Sequence, residues 1–213
     1  MGTRKVGART IETTHEDKIL FPPDIPKQAL IDYYQNIAPL MLPHIKNRLV
    51  TMLRYPSGID GEGFYQKDAG DYFPAWIKTH PVKKQGGGST NYVVCANAAT
   101  LVYLANQGVI TPHVWLSRLP KLDYPDRMII DLDPSGDDFT LVRTTALKLR
   151  EILEELELPS FAMTTGSRGI HVMVPLKKAE SFDEVAAFAH ARRPLGELVV
   201  AEIGLTHANS LAS

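Results

Sequence analysis

The segment Met128-Ile129-Ile130-Asp131-Leu132-Asp133-Pro134 constrains this chain more than any other. An apolar run ending in two carboxylates one residue apart reads as a strand, and a strand's period of two puts Asp131 and Asp133 on one face. Two like charges side by side repel unless a cation or a hydrogen-bond network neutralises them. Pro134-Ser135-Gly136 then turns the chain away, which leaves the pair at a sheet rim. Some thirty residues on comes Thr164-Thr165-Gly166-Ser167-Arg168-Gly169-Ile170-His171. This reads as a strand, a tight turn and a second strand. Ile170, Val172 and Val174 share the core face of that strand, and His171 and Met173 share the other. Paired oxygen ligands select Mg²⁺ or Mn²⁺ over Zn²⁺. Gly166 and Gly169 let backbone N–H groups converge on an anion, while Ser167 adds a hydroxyl and Arg168 a fixed charge. Each piece has a plainer alternative: an Asp-x-Asp in a loop or cap, and an ordinary hairpin with an exposed histidine.

The bulk numbers exclude some classes. With 213 residues the chain can bury a substantial core, and a net charge of −1 excludes a general polycation. Residues 1–84 carry 12 Lys/Arg against 9 Asp/Glu, and residues 85–213 carry 11 against 15. A basic front and an acidic back suit a polyanion on one part and metals on another. The single cysteine, Cys95, leaves no internal disulfide and makes a reducing cytoplasm the expectation. The opening residues lack a signal-peptide pattern. The longest apolar segment, Tyr92 to Ile110, contains Asn97, Asn106 and Gln107 and reads as a core helix, not a membrane span.

Punctuation along the chain sets the organisation. Residues 1–11 read as a flexible basic arm. Leu30, Ile31, Tyr34, Ile37 and Met41 have helical spacing, so a helix is expected from Lys27 to about Leu42, with Pro43 as its stop. Arg48 to Arg54 and Phe64 to Lys67 read as strands. Asn97 is the expected cap of a helix that Gly108 ends. Asp137 or Asp138 opens an amphipathic helix running to Glu157, and Ser181 to His190 reads as another. Alternating strands and helices give an α+β (α/β) class. Residues 12–190 are expected to form one compact unit, followed by an atypical tail over 191–213.

In order, several motifs resemble the archaeo-eukaryotic primase superfamily, and within it the polymerase domain of the bacterial end-joining ligase D family. They are Asp17-Lys18-Ile19-Leu20-Phe21-Pro22, Lys27 before a helix with Asp32-Tyr33-Tyr34, Arg54-Tyr55-Pro56-Ser57-Gly58, Phe64-Tyr65-Gln66-Lys67, the Asp131/Asp133 pair and the Ser167-to-His171 segment. The resemblance runs from about Glu12 to about His190. It implies a primase-polymerase fold with mainly antiparallel sheets flanked by helices. It also implies that Asp131 and Asp133 are catalytic metal ligands for two Mn²⁺ or Mg²⁺ ions. Ser167, Arg168, His171 and His113 would bind an incoming NTP or dNTP. Lys18 and Lys27 would grip a DNA 5′-phosphate, and Phe64 and Tyr65, with Arg54 and Lys67, would contact the strand at a gap or break.

The implied function is a template-directed nucleotidyltransferase of double-strand-break repair by non-homologous end joining. A separate DNA ligase and a Ku-like end-binding protein would be partners, since no ligase-type Lys-x-Asp-Gly occurs. The family's third carboxylate segment has no counterpart after His171. The later acids are Glu180, Asp183, Glu184, Glu197 and Glu202, and the family's C-terminal part is not matched. Two other readings therefore stand beside the polymerase: a truncated module that binds 5′-phosphorylated ends without polymerising, and a metal-dependent nuclease or phosphoesterase.

Overall fold

The structure, a computed structural model, describes the whole chain except Gln85, Ser135, Asp137 and residues 192–198 and 204–213. It divides into two compact units, Met1–Trp115 and Leu116–Ser213. The boundary falls inside the 12–190 span, in Val114-Trp115-Leu116-Ser117, where no glycine or proline punctuates the chain.

The first unit opens with a hairpin. Strands β1 (Gly2–Val6) and β2 (Arg9–Thr13) pair antiparallel from Gly2↔Thr13 to Val6↔Arg9. This corrects the expectation of a flexible arm. Val6, Ile11 and Thr13 are buried, and Gly7 takes a φ of +60° in the turn. Arg4 pairs with Glu16 and Asp32. Two apolar anchors and a neutralised arginine tie down a segment whose basic composition hid them.

Strands β3 (Ile19–Phe21) and β4 (Ile25–Pro26) then lead into α1 (Lys27–Ile45), which buries Leu30, Ile31, Tyr34, Ala38 and Ile45. The helix continues through Pro43 instead of stopping there. Pro43 lacks the N–H that would donate to the Pro39 O, so the ladder gives up one hydrogen bond there. Buried Ile45 and the Lys46 N–H donating to Leu42 O at 2.9 Å hold the last turn.

Strands β5 (Arg48–Arg54), β6 (Phe64–Gln66), β7 (Thr79–Lys83) and β8 (Ser89–Cys95) form a sheet in the order β6-β5-β8-β7. Helix α2 (Ala98–Asn106) follows, and β9 (Val109–Val114) pairs along the other side of β5. The apolar segment 92–110 is thus strand, helix and strand, not one helix. Asn97 starts the helix by accepting the Thr100 N–H at 3.0 Å, and Gly108, at φ +74°, ends it. Cys95 is fully buried, and burial pushes its thiol up to about 12, so it is an inert core residue.

The second unit contains β10 (Ser117–Arg118), β11 (Lys121–Pro125), β12 (Arg127–Pro134), α3 (Phe139–Glu155), β13 (Phe161–Thr164), β14 (Ile170–Pro175), α4 (Phe182–Ala191) and β15 (Val199–Ile203). Its sheet has the order β13-β14-β12-β15, antiparallel throughout. Asp138 caps α3 by accepting the Thr140 N–H at 2.8 Å. Met128, Ile130, Leu132, Val172 and Val174 pack against Val142, Leu149 and Leu153 of that helix. Within the tail expected to be atypical, Val199–Ile203 forms a strand on β12; residues 192–198 and 204–213 lie outside the described residues. Among the described residues no helix is long and apolar enough to cross a membrane.

Candidate functional site

Strand β12 carries the first group of candidate residues. Burial alternates along it: Met128, Ile130 and Leu132 are buried, while Asp131 is half-buried and Asp133 exposed. Each fully buried aliphatic side chain contributes roughly 1.5–3 kcal/mol, against roughly 0.2–1 kcal/mol for an unfavourable same-face charge pair. The core face therefore holds the strand in register and presents both acids at the rim.

Asp131 is opposite His171 in the β12–β14 register, and the His171 Nε2 lies 3.2 Å from the Asp131 Oδ1. The Nδ1 of His171 is buried and makes no hydrogen bond with a described residue. The other acid is joined to the turn by shape. A Cβ placed on Gly169 would stand 2.4 Å from the Asp133 Oδ1 and 3.0 Å from the Leu132 O. Only a glycine lets the carboxylate of Asp133 lie against this turn.

The turn itself differs from expectation in one respect. Its N–H groups do not all converge on open solvent. Thr165 Oγ1 accepts the Ser167 N–H at 3.3 Å and the Gly169 N–H at 3.2 Å. Gly166 takes φ +84° to allow this. Those two amides are therefore engaged within the turn, while the side chains of Ser167 and Arg168 are exposed. Thr165, unassigned from the sequence, is the residue that folds the turn; a Thr four residues before a buried Gly was the available signal.

Strand β15 supplies what the sequence did not. It pairs with β12 so that Glu202 stands opposite Asp131 and Val200 opposite Asp133. Directly opposed residues of an antiparallel pair share a face. In backbone register, positions 171, 131 and 202 thus stand level across three neighbouring strands. Position 202 lacks any motif context in the sequence, so only strand pairing reveals it. Among the described residues searched, no three His, Cys, Asp or Glu side chains are grouped as a metal cluster.

The first unit holds the remaining candidates in two adjoining groups. One is a cavity of about 240 Å³ whose lining includes His15, Lys18, Lys27, Arg54 and Asn106. Lys27 is buried in the first turn of α1, and its Nζ donates to the Asn106 O at 3.1 Å and the Thr14 Oγ1 at 3.5 Å. Burial, and then the nearby Lys18 charge, push its pKa below the ordinary lysine value. No acidic residue occupies the first turn of α1, so helix dipole and ammonium reinforce each other at the pocket. Asn106 shapes the rim: its side chain accepts the Thr14 N–H at 3.0 Å and donates to the Glu12 O at 3.3 Å. The pocket is thus lined by three cationic side chains, Lys18, Lys27 and Arg54.

Arg54 joins this pocket to the second group. Its Nε donates to the Gln107 O at 2.9 Å, and its Nη1 donates to the Gln66 Oε1 at 2.6 Å and the Tyr72 hydroxyl at 2.8 Å. The guanidinium lies 5.5 Å from the Phe64 ring centroid. Phe64, Tyr65 and Tyr72 are exposed aromatics. Tyr65 and His113 are ring neighbours at 5.4 Å, and desolvation lowers the pKa of the His113 imidazole. Lys67 follows directly after β6 and is half-buried. Tyr72 had no assignment from the sequence; its tie to Arg54 is visible only in three dimensions.

Comparison with known proteins follows the same residues. The model of the family described as "LigD, primase-polymerase domain" matches residues 26–197. The bifunctional non-homologous end joining protein LigD of Bacillus subtilis is 33% identical over 181 residues, covering 84% of this chain and 29% of that protein. The multifunctional LigD of Mycolicibacterium smegmatis is 32% identical over 192 residues, covering 88% of this chain and 25% of that protein. The chain therefore spans between a quarter and three tenths of the length of these relatives. Among solved structures, the polymerase domain of Mycobacterium tuberculosis ligase D, in complex with DNA, is similar with a TM-score of 0.79 at 29% identity. That match covers 85% of this chain and 66% of the other, and its fold is the same α+β arrangement of helices and antiparallel sheets.

Proposed function

Because this chain belongs to the LigD primase-polymerase domain family, we propose that it is a template-directed nucleotidyltransferase acting at 5′-phosphorylated DNA ends or gaps in non-homologous end joining. The observation that carries this reading is the rim of β12, where Asp131 sits within 3.2 Å of His171 and Asp133 lies against Gly169 of the Ser-Arg turn. Acidic oxygens and a cationic turn meet there in one short stretch of sheet. Such a site suits a nucleoside triphosphate carried with divalent ions.

The donor set fits hard cations. It is all oxygen, open to solvent at Asp133, and free of thiolates. Asp131 and Asp133 would hold Mg²⁺ or Mn²⁺, with Glu202 at the register position for a third carboxylate. When bound, such ions activate an attacking hydroxyl and neutralise charge on the phosphates. The chain's own residues do the rest. His171 orients Asp131, and Ser167 and Arg168 hold the phosphates. Gly169 leaves room for the Asp133 carboxylate. In the first unit, Lys18 and Lys27 receive the 5′-phosphate, and Phe64 and Tyr65 stack on bases exposed at the junction.

The test is extension of a primer across a gapped duplex with a 5′-phosphate, with Mn²⁺ and nucleoside triphosphates. Incorporation that vanishes in Asp131→Asn supports the reading. No incorporation by the folded wild type refutes catalysis. A second reading stands beside it, because the family's third carboxylate segment has no counterpart after His171. The chain would then bind 5′-phosphorylated ends without extending them. Binding that requires Lys18 and is indifferent to Asp131→Asn would select it.

A further inference from the structure

The neighbouring aromatics Phe64 and Tyr65 do not lie on one side of the sheet. Side chains alternate along β6, and its register sets Phe64 opposite Arg54 and Tyr65 opposite Leu53 on β5. Phe64, Gln66 and Arg54 therefore share one face. The guanidinium lies 5.5 Å from the Phe64 ring centroid, and its Nη1 donates to the Gln66 Oε1 at 2.6 Å. Tyr65 takes the other face, where its ring centroid is 5.4 Å from that of His113. The aromatic that accompanies Phe64 is Tyr72. The Arg54 Nη1 also donates to the Tyr72 hydroxyl at 2.8 Å, and the Gln66 Nε2 donates to the same oxygen at 3.2 Å. The Tyr72 ring is held from behind. A Cβ on Gly70 would stand 2.4 Å from its Cε1, and its centroid is 5.0 Å from that of Phe73, which packs 5.2 Å from buried Tyr103. Phe64 and Tyr72 nevertheless stay 44% and 57% exposed. Two firmly placed rings joined by a cation thus keep apolar surface in water that a ligand with a flat π-face would cover.

We propose that Tyr72 is a base-stacking residue which, with Phe64 and Arg54, forms one platform for the unpaired bases of a single-stranded overhang, while Tyr65 acts separately from the opposite face of β6. This rests on the reading of Phe64 as a stacking residue. The chemistry of the platform selects its occupant. Aromatic faces accept any base, and the guanidinium that touches both rings adds a cation to the stack without reading sequence. Asp71, the residue before Tyr72, is exposed. Its carboxylate repels a phosphate brought to the ring, so what Tyr72 offers is a surface for a base and not for the backbone. The hydroxyl has a positioning role. By accepting from Arg54 it fixes ring and guanidinium relative to each other, which spares the ordering cost that loose side chains incur on binding.

The experiment measures equilibrium binding of the full chain to two duplexes with the same 5′-phosphorylated end and the same length of single-stranded overhang. One overhang carries bases and the other abasic sugars. Backbone charge is equal in both, so the ratio of the two affinities reads the contribution of the bases. Tyr72→Leu lowers the ratio about five-fold or more, the scale of one lost base contact. Tyr72→Phe, which keeps the ring, retains most of it. Phe64→Ala combined with Tyr72→Leu lowers the ratio by less than the product of the single effects, because the two rings serve one platform. Tyr65→Ala combined with Tyr72→Leu gives the product. A ratio that Phe64→Ala lowers and Tyr72→Leu leaves unchanged, with both proteins folded by circular dichroism, overturns the proposal, as does coupling of Tyr72 to Tyr65 instead of Phe64. A ratio unchanged in both Phe64→Ala and Tyr72→Leu overturns the stacking reading itself and is seen separately.

Discussion

Gly169→Ala separates stability from activity at the acidic rim. The added Cβ would lie 2.4 Å from the Asp133 Oδ1, where ordinary contact begins at 3.4 Å, so the carboxylate must retreat by about 1 Å. Asp133 is exposed and ends in a rotatable group, so its retreat costs little. The Leu132 O, at 3.0 Å, and the Thr165 Cγ2, at 3.3 Å, need only a few tenths of an ångström. The expected loss of stability is about 1 kcal/mol, at the low end of overpacking. A misplacement of about 1 Å in a group that positions reactants can lower a rate about 100-fold. The assay is single-nucleotide extension with Mn²⁺ on a gapped, 5′-phosphorylated duplex, run beside a thermal melt. The expected pattern is a nearly unchanged melt and a collapse in extension, with binding to the 5′-phosphorylated end intact because Lys18 and Lys27, proposed to hold that phosphate, belong to the other unit. A folded Gly169→Ala protein that extends as fast as wild type would show that the Asp133 carboxylate, as placed here, is not part of the reacting centre.

Further predictions concern the first unit and the third acid. Lys27→Met removes a buried ammonium that donates to the Asn106 O, and should lower the preference for a 5′-phosphate about ten-fold in equilibrium binding. The folded pKa of Lys27 is depressed, so in the window between that value and the ordinary lysine value the unfolded chain binds more protons. Wild-type stability therefore rises with pH through that window. The melting-temperature difference in favour of Lys27→Met should shrink as pH rises from 7 to 10. Phe64→Ala and Tyr65→Ala should each weaken binding of a single-stranded overhang by roughly 1–3 kcal/mol, read by titration, with little change for blunt duplex. Val6→Ser in the N-terminal hairpin should cost about 1–2 kcal/mol of unfolding free energy in urea, where a loose arm would cost nothing. Glu202→Gln should reduce Mn²⁺-dependent extension, and an unchanged rate would remove the position opposite Asp131 from the proposed metal ligands.

Where the sequence carried local physics, it was legible. The apolar alternation of 128–133 placed Asp131 and Asp133 on the face opposite Leu132, because burial of every second side chain is decided within one strand. Asn97 and Gly108 marked both ends of α2 because capping and a positive φ are properties of single residues. Local rules failed where a distant partner decides. Residues 1–11 look like a basic arm until Val6 and Ile11 meet the core and Arg4 meets Glu16 and Asp32. Pro43 reads as a stop until buried Ile45 carries the helix past it.

The chemistry of the site divides along the same line. Sequence alone determined the residue types and their order: the acid pair, the Ser-Arg turn, the histidine strand, the paired lysines and the aromatic pair. Covalent connectivity and strand periodicity suffice for that. Tertiary structure alone decided which of them touch. It set His171 beside Asp131, laid Asp133 against Gly169, and drew the turn amides onto Thr165. It brought His15 to the lysine cavity and placed Glu202 level with Asp131. Strand register and long-range pairing have no local code, since they follow from which hydrophobic faces bury together.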